Sequence, residues 1–175
     1  MTSPDGKPVN AIYGFINMFL RTISKFEGFA AVAALDSKTE TFREKAYPEY
    51  KANRKEVDPD LKSQFELIEP MLHSLNIPVF ASDGFEADDV IASIVANNPE
   101  KEIIIVSSDK DLMQLVGGNV RMYDSMKDKI IDPDGVKEKY GVLPGQMLDF
   151  LALLGDSSDN VPGMPKVGLK TAAEL

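Results

Sequence analysis

The chain contains no cysteine, a single histidine and no long apolar run. Without cysteine there is no disulfide framework and no thiolate metal site, a composition suited to a reducing compartment. The opening MTSPDGKPVN places turn residues where a signal peptide needs an apolar centre. The longest apolar stretches, such as Phe29 to Leu35, are too short to span a bilayer. These absences predict a cytoplasmic protein that makes no use of a membrane. Basic residues are also scarce, 19 against 28 acidic, leaving a net charge of −9. That balance excludes a general polyanion binder, whose affinity comes from lysine and arginine releasing counterions. It leaves open an acidic cluster that captures divalent cations and so reverses the local charge. His73 shares a helix with Leu72, has no partner motif, and reads as structural.

What remains is a chain of 175 residues, 43% apolar and 27% charged, enough for one globular domain with a small appendage. Ile12, Phe15, Ile16, Phe19, Leu20 and Ile23 predict a helix over Asn10 to Phe26. FAAVAALD, apolar on both faces and ending in Asp36, reads as a buried parallel strand. From Ser37 to Glu56 the sequence is polar and without a clean period, which predicts a mobile or partly helical loop. Asp58 and Pro59 open a helix carrying Leu61, Phe65, Ile68, Leu72 and Leu75, with a kink expected at Pro70. Ile77 to Ala81 and Glu102 to Val106 read as strands, and Val120 to Tyr123 with Lys129 to Asp132 as a hairpin. Helices are expected over Val136 to Tyr140 and Gln146 to Leu154, and again at the C-terminal end after a Gly/Pro loop. Strands alternating with helices predict an α/β fold, a mainly parallel sheet flanked by helices.

Carboxylates fall just past the ends of these elements. Asp36 closes one strand. Glu86, Asp88 and Asp89 follow another, Asp109 and Asp111 a third, and Asp156 and Asp159 follow a helix. The carboxyl ends of parallel strands converge on one edge of an open sheet, so the acidic groups should meet in one cleft. Like charges ~4 Å apart repel by about 4 kcal/mol at an effective dielectric near 20. Hard divalent cations with a preference for oxygen ligands, Mg²⁺ or Mn²⁺, are the natural compensation. Two such ions support phosphodiester hydrolysis. Each acidic motif alone also reads as a capped loop or a helix start.

FEADDVIAS, SSDKDLMQLV, KYGVLPGQMLDFLALLGDSSDNVPG and VGLKTAAEL, in this order, closely resemble the 5′-to-3′ exonuclease domain of bacterial DNA polymerase I. That domain is a member of the flap endonuclease family, with a PIN-like, resolvase-like fold. The resemblance implies metal-dependent hydrolysis of DNA at 5′ flaps, nicks and 5′ ends, with RNA primers among the substrates, by a monomer using two or more Mg²⁺ or Mn²⁺ ions. It implies that Asp36, Glu86, Asp88, Asp89, Asp109, Asp111, Asp156 and Asp159 form the metal site. TFREKAYPEYKANR looks like the family's helical arch, with Lys51, Arg54 and Arg43 at basic positions facing the scissile phosphate and Tyr47 or Tyr50 able to stack on a base. Composition alone leans slightly the other way, towards these cations pairing with Glu40, Glu44, Glu49 and Glu56 on a solvated surface. VPGMPKVGLKTAAEL resembles a helix-hairpin-helix that grips a duplex phosphate through backbone amides, naming Gly163, Lys166, Gly168, Lys170 and Thr171 as DNA contacts.

The resemblance also implies boundaries: a PIN-like core over residues 1–155 without the family's usual first strand and its aspartate, then the start of a helix-three-turn-helix arm over 156–175, incomplete. Lys166 stands where the hairpin usually has glycine. Two other functions stay open at this point. One is a catalytically incomplete fragment or degenerate copy that only binds DNA, and the other is a PIN-type ribonuclease.

Overall fold

The computed structural model describes all 175 residues. The amphipathic repeat forms α1 (Asn10–Lys25), which buries Ile12 and Thr22. A helix start leaves backbone N–H groups without partners. Here Ala11 and Ile12 donate theirs to Gln64 Oε1, at 2.8 and 3.4 Å. Gln64 sits buried on α3 (Pro59–Phe65), whose own start is capped by Asp58, accepting the Asp60 N–H at 2.9 Å. The single kinked helix expected here is instead two helices, α3 and α4 (Ile68–Ser74), which break at Glu66 and Leu67. Pro70 causes no kink because it lies in the first turn of α4, where its missing N–H has no intrahelical partner to lose.

The sheet is also divided. β1 (Ala33–Ala34) pairs in parallel with β2 (Val79–Phe80), making a two-stranded ribbon. The longer strand expected over Phe29 to Asp36 shrinks to two residues. Its alanines offer little cross-strand surface, and Phe29 and Val32 stay exposed. β3 (Ile103–Val106) pairs in parallel with β4 (Val120–Asp124), and β5 (Lys129–Ile131) returns antiparallel. The connection from β4 to β5 is too short for a crossover, so it closes the expected hairpin. The α/β class and the mainly parallel pairing are as expected; the difference is that the strands are divided between two sheets, with β5 an antiparallel edge.

The stretch from Ser37 to Glu56 is ordered by α2 (Phe42–Ala46) and a run of turns. Thr41 and Glu44 cap α2 reciprocally. α5 (Ala87–Ala96) packs against both β1 and the 3₁₀ turn Asp111–Leu115, so it bridges the two sheets. α6 (Pro133–Tyr140), α7 (Met147–Leu154) and α8 (Leu169–Glu174) complete the chain. The core lies in this second half: apart from Ile12 and Leu72, every buried apolar residue comes from Ile105 onward. Met113, Met122, Val136, Met147 and Phe150 form its centre, and Ala172 of α8 packs into the same cluster.

Candidate metal centre and nucleic-acid contacts

The three acids at the start of α5 face different ways. Asp89 Oδ2 accepts the Glu86 N–H at 3.0 Å, and Asp36 reaches across from the end of β1 to accept the Ala87 N–H at 2.8 Å. The orphan amides of the helix start thus engage Asp36 and Asp89. Asp88 lies on the side of Asp109 and Asp111. Its pKa is raised to about 6, first by burial and then by the charges of Asp109, Asp111, Glu86 and Asp36. This carboxyl therefore feels acids from β1, from α5 and from the turn after β3, which ties the separate motifs to one locus.

The closest group is Asp111, Asp156 and Asp159, whose ligand oxygens all lie within 4.8 Å of one another. Asp111 is set by a chain of small turns. The Asp109 N–H donates to Ser107 Oγ and the Asp111 N–H to Asp109 Oδ1, each at 3.0 Å. Asp156 and Asp159 ride on a loop closed by reciprocal backbone bonds between Asp156 and Val161, both 2.8 Å. That loop needs two glycines in contact. A Cβ on Gly163 would stand 2.1 Å from the Leu154 carbonyl oxygen, and one on Gly155, at φ +74°, would stand 2.2 Å from the Gly163 nitrogen. The trio opens on a cleft of about 280 Å³ that Arg54, Lys110 and Tyr140 also line. Three carboxylates presenting only oxygen fit a hard divalent ion and no soft one. Burial raises Asp111. It pushes Asp156 the same way, but Lys110 and the Ser158 N–H outweigh it and hold Asp156 below the usual carboxylate range.

The strap from Thr41 to Arg54 lies across these acids. Arg43 makes a two-pronged pair with Asp89, at 2.6 and 2.8 Å, and this contact holds the Asp89 carboxyl below its ordinary range. Lys51 Nζ lies 2.7 Å from Glu86 Oε1, and Arg54 lies 2.5 Å from Asp159 Oδ1. None of the three has an ion pair with the glutamates of its own segment, so pairing on a solvated surface does not describe them. Lys51 sits at φ +57°, a conformation that costs a non-glycine residue energy, with its N–H on the Asp159 carbonyl at 2.9 Å. Tyr50 donates to both Glu86 Oε2 and Asp159 Oδ2, at 3.0 and 3.1 Å. Burial first, then those two charges, raise the Tyr50 hydroxyl well above its ordinary range. Tyr47 donates to Glu49 and to the Asn160 carbonyl. Both hydroxyls are thus engaged within the chain.

In the C-terminal stretch, Gly163 is explained by its contact with Leu154 and Gly155. Gly168 precedes α8, and a side chain added there would meet nothing, so the start of that helix is open. Lys170 and Thr171 are exposed on it. Lys166 has φ +66°, so its position does require the left-handed conformation that glycine adopts at least cost.

Comparison with known proteins decides the family. The family model "5'-3' exonuclease, N-terminal resolvase-like domain" matches residues 1–141, and "5'-3' exonuclease, C-terminal SAM fold" matches residues 142–175. The chain belongs to the 5′-3′ exonuclease family. It is 40% identical to DNA polymerase I of Pseudomonas aeruginosa over 177 residues, covering 100% of this chain and 19% of that protein. It is also 40% identical to a 5′-3′ exonuclease of Aquifex aeolicus over 177 residues, covering 100% of this chain and 61% of that one. The chain thus spans under two thirds of the length of either relative. Its fold is that of the T5 D15 protein co-crystallised with metal ions, with a TM-score of 0.81 at 22% identity, over 93% of this chain and 66% of that one.

Within this exonuclease fold, the sequence reading missed Lys110, which lies inside SSDKDL and points its ammonium at Asp156 and Asp111. It also missed Asn53 and Asn160, which tie the strap to the 156–161 loop through Ser157 O and Glu49 O, at 2.8 and 2.7 Å. The signal available was their position within motifs already singled out. The partners of Asn53 and Asn160 lie over a hundred residues away along the chain, and Asp156 lies 46 from Lys110.

Proposed function

We propose that this chain carries the hydrolytic centre of a metal-dependent 5′-to-3′ exonuclease that acts on DNA 5′ ends, nicks and flaps. The observation that carries the reading is the convergence of Asp111, Asp156 and Asp159, from two distant loops, to within 4.8 Å, beneath a strap bearing Arg43, Lys51 and Arg54. In this reading Asp111, Asp156 and Asp159 hold one ion. Glu86, Asp88 and Asp109 line a second position, with Asp36 behind them. Asp89 fixes Arg43. Two Mg²⁺ or Mn²⁺ ions, when bound, activate water and stabilise the leaving oxygen of a phosphodiester.

The chain's own side chains supply the rest. Lys51 and Arg54 offer donors to the scissile phosphate, whose charge rises towards the transition state. Arg43, set by two hydrogen bonds, adds a fixed positive charge beside them. The open start of α8 with Lys166, Lys170 and Thr171 grips a duplex phosphate without reading sequence. Binding is then local, which reconciles DNA as a partner with a net charge of −9. We further place the protein in the cytoplasm as a monomer, with RNA primers in hybrid among its substrates, and take residues 1–155 as the nuclease core and 156–175 as the start of the duplex-binding arm. No helix is long and apolar enough to cross a membrane.

The test is cleavage of an end-labelled 5′-flap DNA by the folded chain. Cleavage in Mg²⁺ or Mn²⁺ that stops in EDTA and falls by about a hundredfold or more in Asp156→Asn supports the reading. A folded chain that binds the flap but leaves it intact in both metals would make this a binding module. Cleavage unaffected by Asp156→Asn would remove the trio from the site.

A further inference from the structure

Lys110 separates Asp109 from Asp111 in sequence, and its ammonium is turned inward. Its Nζ lies 2.5 Å from Asp156 Oδ2 and 3.6 Å from Asp111 Oδ1, with the side chain 29% exposed. Both partners belong to the trio of carboxylates whose oxygens lie within 4.8 Å of one another. The remaining member, Asp159, is held by Arg54. The cation on Asp159 arrives with the strap, whereas Lys110 is built into the acidic motif itself.

A lysine ammonium is a compact point charge with three donors, and it satisfies the same lone pairs that a hard divalent ion requires. A doubly charged ion placed among those oxygens would also repel an ammonium a few ångströms away. Lys110 and the ion therefore compete for Asp111 and Asp156. In its inward position Lys110 also offsets the mutual repulsion of the acids, which allows the site to form as the chain folds.

We propose that Lys110 is a resident counter-ion that occupies the ion's place between Asp111 and Asp156, and that it sets the metal affinity of that half of the site by having to leave as the ion enters. This inference rests on the metal-site reading above and deepens it. Lys110 acts here through the carboxylates, as a positioning residue, and its signature is a change of sign. Removing a residue that merely orients Asp156 weakens metal binding, whereas removing a competitor strengthens it.

Mn²⁺ titration by calorimetry, with no DNA present, separates these outcomes. Lys110→Met should bind Mn²⁺ about tenfold more tightly or better than the wild type, through loss of the like-charged competitor. Lys110→Gln keeps hydrogen-bond donors without the charge and should bind more tightly as well, which covers the case of a poorly folded Lys110→Met. Lys110→Arg keeps the charge and should stay near the wild-type affinity. So should Lys101→Met, which removes the same charge just ahead of β3, at the strand end away from the acids. If both uncharged Lys110 variants bind Mn²⁺ equally or more weakly while Asp156→Asn still loses affinity, the competitor role is overturned and the metal site stands. If Asp156→Asn changes nothing, both fall.

Discussion

Asp88 and Asp89 are neighbours in sequence with opposite electrostatic fates. Arg43 stabilises the charged form of Asp89, while burial and four other carboxylates oppose the charged form of Asp88, whose pKa rises from 3.8 to about 6. The native state therefore holds the Asp88 proton more tightly than the unfolded chain does, and folding stability falls as pH climbs from 3.8 through about 6. In chelator at neutral pH, Asp88→Asn should melt at a higher temperature than the wild type. The difference should shrink as pH falls through about 6 and vanish near the ordinary carboxylate value. The same substitution should weaken Mn²⁺ binding, a trade of stability for function. Thermal melts across this pH range in EDTA test the point, and equal melting temperatures at neutral pH would show that Asp88 carries no such strain.

Between α7 and α8 the deciding contact is backbone against backbone. Gly155 and Gly163 touch at distances that no side chain tolerates, and this closes the loop that presents Asp156 and Asp159. Gly163→Ala must push Leu154 and Gly155 apart, an overpacking cost of about 1–3 kcal/mol or more. It should lower the urea midpoint and weaken Mn²⁺ binding together, because one displacement moves both carboxylates. An unchanged midpoint would show that the loop opens without strain. Sequence named Gly163 as a phosphate contact through its motif; its fit against Leu154 could not be read there, since it depends on where the chain returns after the Asp156–Val161 turn. Helix starts were more legible. Asp58, read as the start of its helix, caps α3 through a side chain two residues from the amide it serves, so local sequence carries the signal; Asp132, read as the end of a strand, instead caps α6 through the Gly135 amide three residues on.

Across the whole molecule, burial is uneven. Ile12 and Leu72 are the only buried apolar residues ahead of Ile105, while Phe65, Leu67, Leu75 and Phe80 remain substantially exposed. Stability should be graded accordingly, because local opening is easiest where few apolar contacts must break. In native-state hydrogen exchange in EDTA, amides of β3, β4 and α7 should be the slowest. Those of α1, α3 and the β1–β2 ribbon should exchange faster by more than tenfold, and uniform protection would show one cooperative unit instead. The proposed metal site straddles this gradient: Asp36, Glu86 and Asp88 come from the lightly packed half and Asp109 to Asp159 from the firm one.

The sequence by itself determined that the acids cluster at element ends, that a hairpin follows β3, and that a chain with no cysteine has no thiolate metal site. These properties are local or compositional, so periodicity, capping pairs and residue type suffice to read them. The direction each acid faces was decided by the tertiary structure. Successive helical residues point about 100° apart, so Asp88 and Asp89 part company once α5 packs across both sheets. The partners of Arg43, Arg54 and Lys110 lie 46, 105 and 46 residues away. Pairing over such separations depends on how whole segments fold back on one another, which no local pattern encodes.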